Sequence, residues 1–268
     1  MPAQSVVFLH GSPGSSRMWD ALIGPAINAV GHAYAPTMPG CGNVPVPTGF
    51  GCFVSPSFLP TIDNYARWLG ERLDQQRIDR AHLVMHGFGG PVGLTWGAAH
   101  PTRIASLTCI NTGVLTNYHW HALARIWRKR GIGEALNVVI TQQSFELLTR
   151  YSQPRPLPRS TVDQLFQDFP LAARRNALAL YRATNEDLLA RFADIYCKVD
   201  PPTLVLWGAH DPYFPPRQAH WQNRAFPSAQ IIVLDNSGHW PHLDDSHTVQ
   251  QHLVPFLKKA TSNAQQIQ

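Results

Sequence analysis

Six short apolar runs punctuate the chain, at 5–9, 32–35, 81–85, 104–111, 203–207 and 230–234, each closed by glycine, proline or small polar residues. Runs of that length bounded by breakers predict buried β-strands. Between them the period lengthens. Ile62, Tyr65, Leu69 and Leu73 recur at helical spacing, which predicts a helix over 61–75. Further helices are expected after Ser15 or Ser16, an N-cap residue with Trp19 on the buried face, and over 91–99 and 247–258. Residues 43–60 carry many Pro and Gly and little periodicity, and read as a long surface loop. The polar tail 260–268 is expected to fray.

Strands alternating with helices predict an α/β chain with a mostly parallel, doubly wound sheet covered on both faces. From 114 to 185 the pattern changes to long aromatic and basic helices, broken at 154–158 by three prolines and without strand alternation. That block cannot join the sheet. The expected division is therefore a core of 1–113 and 186–268 and a helical cap of 114–185. In such sheets ligands bind beyond the carboxyl ends of the strands, so the turns there are the places to search for chemistry.

Composition adjusts this picture only slightly. The 268 residues are 44% hydrophobic, enough for a sizeable core, and no apolar run approaches a membrane span. The start shows no leader pattern, and Cys41, Cys52, Cys109 and Cys197 are scattered, so a reducing, cytoplasmic setting is expected. The net charge of +5 raises nucleic acid as a partner. Its densest source, Arg125, Arg128, Lys129 and Arg130, reads instead as a solvated helix face, and no nucleic-acid module is recognisable. Neither nucleic acid nor membrane is expected as a partner. His239, His242 and His247 lack both H-E-x-x-H and a cysteine partner, so no metal is expected, and nothing calls for a cofactor.

Three turns stand out. After the 81–85 strand comes His86-Gly87-Phe88-Gly89-Gly90-Pro91, the strand–turn–helix setting of a nucleophile elbow with residue 87 at its apex. A dinucleotide fingerprint fails there, because Val92 stands where a third glycine belongs. Alone, the turn fits an ordinary strand–helix connection equally well. The other two turns carry Asp211, after Trp207-Gly208, and His239, after Ser237-Gly238. A carboxylate accepting from one imidazole nitrogen fixes the tautomer and leaves the other nitrogen as base.

In the order 87, 211, 239 the chain resembles the α/β-hydrolase superfamily over essentially its whole length. His10-Gly11-Ser12-Pro13 and His86-Gly87-Phe88-Gly89-Gly90-Pro91 resemble the H-G-x-P and H-D-W-G-G-P motifs of epoxide hydrolases and haloalkane dehalogenases, members with an aspartate nucleophile. The resemblance implies backbone N–H groups of Ser12 and Phe88 as an oxyanion hole. Phe88 and Ser12 replace the usual halide donors, which weakens the dehalogenase reading. The stretch from Asn176 through Tyr181 to Arg182 resembles the cap segment that carries an epoxide-binding tyrosine, making Tyr181 the candidate donor and Tyr118 or Tyr151 a second. Trp120 and Trp240 complete the expected substrate contacts. The family's two earlier strands are not recognised, so the 32–35 strand is expected at a sheet edge, covered by a loop or by the second copy of a homodimer.

The departure from the family is Gly87, which has no side chain to attack a substrate. Whether the loss is natural or introduced, a covalent cycle cannot run there. The expected function is a hydrolase of epoxide-hydrolase-like lineage acting on a hydrophobic small molecule, with Asp211 and His239 activating water. A proton-transfer or lyase-type catalyst using His239, and an inactive small-molecule binder, remain as alternatives.

Overall fold

The computed structural model describes residues 4–46 and 58–266. Most of the 43–60 loop, and Cys52 within it, lies outside the described residues. Strands β1 (Gln4–Leu9), β2 (Ala33–Tyr34), β3 (Arg80–His86), β4 (Ile104–Ile110), β5 (Thr203–Gly208) and β6 (Gln230–Leu234) form one sheet in the order β2-β1-β3-β4-β5-β6. Every described pairing is parallel, with Leu9 opposite Met85 and Met85 opposite Cys109. The carboxyl ends of all six strands therefore point the same way, which brings distant turns together.

Helices cover both faces: α1 (Asp20–Val30), α2 (Ile62–Gln75) and α3 (Gly89–Ala99) in the first half of the chain. Period-two alternation divides the strand residues between the faces. Val7, Leu9, Met85 and Trp207 pack with Tyr65, Leu69 and Trp96 of α2 and α3. Val6, Phe8, Val84 and Leu206 pack with Leu22 and Ala26 of α1 and with Val249, Leu253 and Leu257 of the last helix. This two-sided burial is why the strands read as continuous apolar runs. Ser15 caps the 3₁₀ turn Ser16–Trp19 that leads into α1, and Trp19 is fully buried.

Between β4 and β5 the chain is helical: α4 (Ala122–Trp127), α5 (Ile132–Val139), α6 (Gln142–Tyr151), α7 (Arg159–Gln167), α8 (Leu171–Ala183), α9 (Asp187–Ala190) and α10 (Ala193–Val199). Two of these helices lie beyond residue 185. The block is tied to the core through buried Asp168, whose carboxylate accepts from Ser15 Oγ (2.6 Å) and from the Arg17 guanidinium (2.7 Å). Asn176 Nδ2 donates to Tyr65 Oη (2.8 Å), which donates to the Pro39 carbonyl.

The chain ends with α11 (Arg217–Trp221), α12 (Pro241–Asp244) and α13 (Ser246–Gln266). The tail expected to fray from 260 instead continues α13 to Gln266, a stretch of Ala, Gln and small polar residues that holds no breaker. β2 is only two residues long and lies at the edge of the described sheet.

Candidate active site

Gly87 follows the last residue of β3 and precedes α3, with φ +51. That left-handed conformation strains any residue with a Cβ, and elbows impose it to lift one side chain from the sheet. The turn is pinned: Thr112 Oγ1 donates to the Gly87 carbonyl (2.7 Å), and Gly90 N–H donates to the same oxygen (3.1 Å). A Cβ at Gly87 would meet nothing closer than the Gly11 Cα, at 3.3 Å. The backbone of the turn therefore has the form of an elbow, and a Cβ there would meet one tight neighbour.

Asp211 lies in the turn after β5, its side chain fully buried. Oδ1 accepts from the Tyr213 and Phe214 backbone N–H groups (2.7 and 3.0 Å), while Oδ2 accepts from Asn111 Nδ2 (2.6 Å) and His239 Nδ1 (2.9 Å). These four donors occupy both carboxylate oxygens without water. The bond from Nδ1–H leaves His239 Nε2 as the free base, and the ring borders the cavity described below.

Asn111, at the end of β4, was not among the expected site residues. Its φ of +44 is one asparagine tolerates, and its Oδ1 accepts from Gly208 N–H (3.0 Å) while its amide holds Asp211. An asparagine ending a buried strand was the available signal. The acid and histidine turns also hold each other, His210 N–H donating to the Ser237 carbonyl (3.0 Å). A Cβ on Gly208 would collide with the Gly238 carbonyl oxygen, so this approach requires glycine.

Buried histidines support the site from beneath. His86 Nε2–H donates to the His239 carbonyl (2.9 Å), and the His86 ring lies 4.9 Å from that of His239 and 4.6 Å from that of His242. Burial holds His86 well below the ordinary histidine range and lowers His242 to about 3, so both are neutral. His10 Nδ1–H donates to the Gly11 carbonyl (2.7 Å) and Nε2 accepts from Met38 N–H (3.0 Å), which fixes the turn carrying Ser12. His10 too is pushed down by burial, to about 4. His247 is exposed and bonds Gln251. Among the described residues no group of three or more His, Cys, Asp or Glu is arranged to hold a metal.

A cavity of about 460 Å³ opens above Gly87. Its floor is Ser12, His86, Gly87, Phe88 and His239, from the strand ends; its other walls include Trp127, Val139, Phe145 and Tyr181, from the intervening helices. Tyr118, Trp120 and Trp240, expected to contact substrate, also line it. Tyr181 packs edge-on against Phe88 (4.8 Å between centroids), and no described protein group bonds its hydroxyl, which burial holds well above the ordinary phenol range. The Ser12 and Phe88 backbone N–H groups, expected as oxyanion donors, belong to residues on the same floor.

Tyr151 is a correction. It is 62% exposed and does not line the cavity, because it shares the outward face of α6 with Leu147, one turn earlier. Tyr213 and His121, which were not anticipated, line it instead. Tyr213 presents its ring edge to His239 at 4.8 Å and bonds Ser152 Oγ (2.6 Å), while His121 caps α4 and packs on Tyr213 at 4.6 Å.

Comparison with known proteins places the fold. The haloalkane dehalogenase of Psychrobacter cryohalolentis is 25% identical over 95% of this chain and 84% of its own length. A dihydrolipoyllysine-residue acetyltransferase component of the acetoin cleaving system from Pseudomonas putida is 24% identical over 95% of this chain, which spans only 63% of that longer protein. Epoxide hydrolase A from Mycobacterium thermoresistibile superposes with a TM-score of 0.76, at 18% identity, over 95% of this chain and 91% of that one. The model of the alpha/beta hydrolase fold family matches residues 4–246, and the chain belongs to that family.

Proposed function

We propose that the chain is a hydrolase of epoxide-hydrolase-like lineage that acts on an apolar small molecule held between the strand ends and a cap of residues 114–185. Water is activated directly, without a covalent enzyme intermediate. The observation that carries this reading is His239, oriented by a fully bonded Asp211 and bordering an apolar cavity beside a side-chain-free elbow. A binder has no need of an oriented base.

In this reading a water occupies the space above Gly87, its oxygen held by the Ser12 and Phe88 N–H groups as negative charge develops. His239 Nε2 removes a proton, the oxygen attacks an electrophilic carbon, and Asp211 stabilises the imidazolium formed. With an epoxide the C–O bond breaks and Tyr181 donates its hydroxyl proton to the leaving oxygen; the imidazolium proton restores the phenol through solvent. An epoxide is the first choice because a tyrosine without a protein partner suits an alkoxide leaving group.

The test is a panel of apolar epoxides, haloalkanes and esters incubated with the unmodified chain and with His239→Ala. Consumption of at least one class to a hydrolysed product, lost by about 10³-fold or more in the variant, is the expected result. No consumption by the unmodified chain leaves the binder reading, an eliminated product moves the chain to the lyase reading, and undiminished turnover in the variant removes the base.

A further inference from the structure

Exposed apolar side chains are concentrated on three of the helices that wall the cavity. Of the fourteen exposed large hydrophobic residues described, eight fall between Leu123 and Tyr151, on α4, α5 and α6. Val138, Val139, Leu147 and Tyr151 are each more than 60% exposed. Leu123, Leu136 and Val139 are both exposed and part of the cavity wall, so apolar surface runs from these helices into the cavity. Solvated faces of monomeric proteins rarely gather apolar surface in this way. The cations Arg125, Lys129 and Arg130 are exposed on and after α4, and none takes an ion pair among the described residues. The acids in the same stretch are already engaged, Glu134 with Arg182 and Glu146 with Arg150.

We infer that this face seats the protein on an anionic phospholipid surface and that the cavity draws its apolar ligand from that phase. Apolar side chains flanked by free cations are what an interfacial surface requires, the former entering the headgroup boundary and the latter meeting anionic lipids. A second copy docked face to face would gather two sets of Arg125, Lys129 and Arg130 in one interface with no free acid from this stretch to meet them, and would close the cavity. No described helix is long and apolar enough to cross a membrane, so the association is peripheral. Arg125, Lys129 and Arg130 are exposed, as a solvated helix face requires, and in this inference the same charges meet the headgroups.

The experiment is flotation of the full chain with phosphatidylcholine vesicles and with vesicles holding three parts phosphatidylglycerol to seven of phosphatidylcholine. It needs no turnover, so its outcome is independent of the chemistry at Gly87. Binding to the anionic vesicles, weakened by salt, is expected. Arg125→Gln, Lys129→Gln and Arg130→Gln together should lower the partition coefficient about a hundredfold. Val138→Ser with Leu147→Ser should abolish binding while the circular dichroism spectrum and unfolding midpoint stay unchanged. No binding to either vesicle, binding unaffected by both sets of variants, or a light-scattering dimer mass that Val138→Ser returns to monomer would overturn the inference.

Discussion

Residue 87 has the backbone of an elbow and no side chain to present. The left-handed backbone, the Thr112 bond and the open space above are all present, so the turn is specified by its surroundings and not by the side chain it would present. Gly87→Asp should therefore fold if the Gly11 Cα, which its Cβ meets at 3.3 Å, gives by a few tenths of an ångström. The φ of +51 should cost about 1–2 kcal/mol, because glycine adopts it without strain and aspartate does not. The paired outcome is a lower urea midpoint and a newly gained ester adduct on incubation with an epoxide, read by intact-protein mass spectrometry. Unchanged stability would remove the strain argument, and no adduct or diol with any epoxide would remove the lineage.

At the scale of elements, the site depends on how closely three turns approach. The acid and histidine turns meet where Gly208 faces the Gly238 carbonyl, so Gly208→Ala has to push them apart. It should destabilise by about 1–3 kcal/mol, as overpacking does, and reduce turnover beyond the stability loss because the shift draws the residue-208 backbone N–H away from Asn111 Oδ1. Thermal unfolding and turnover measured at one temperature check it. The strands and these turns were legible in the sequence because two-sided burial writes unbroken apolar runs, and parallel topology puts the following residues at one edge. The contributions of Asn111, His121 and Tyr213 were not, since each acts on a neighbour far away in sequence. Tyr151 misled for the converse reason: residue type suggested a donor, but the face of α6 it occupies is settled by packing.

For the whole molecule, several histidines are buried uncharged. Burial lowers His10 and His82 to about 4 and His242 to about 3, below the ordinary value of 6.5. Above pH 6.5 both folded and unfolded chains hold them neutral. Below it the unfolded chain takes up protons that the folded chain refuses, so stability falls as the pH drops from about 6.5 toward the folded values. Each contributes a slope of about 1.4 kcal/mol per pH unit over that window. Urea unfolding at pH 7.5 and pH 5 should show a loss of several kcal/mol, and equal midpoints would contradict the burial. The central claim is that His239 turns a water, held where the family keeps its attacking carboxylate, directly onto substrate. Oxygen-18 water tests that most directly, in a single turnover of the best panel substrate with enzyme in excess. Direct attack places the heavy oxygen in the first product formed and leaves the protein mass unchanged, whereas unlabelled first-turnover product, or a transient adduct on the protein, would contradict it.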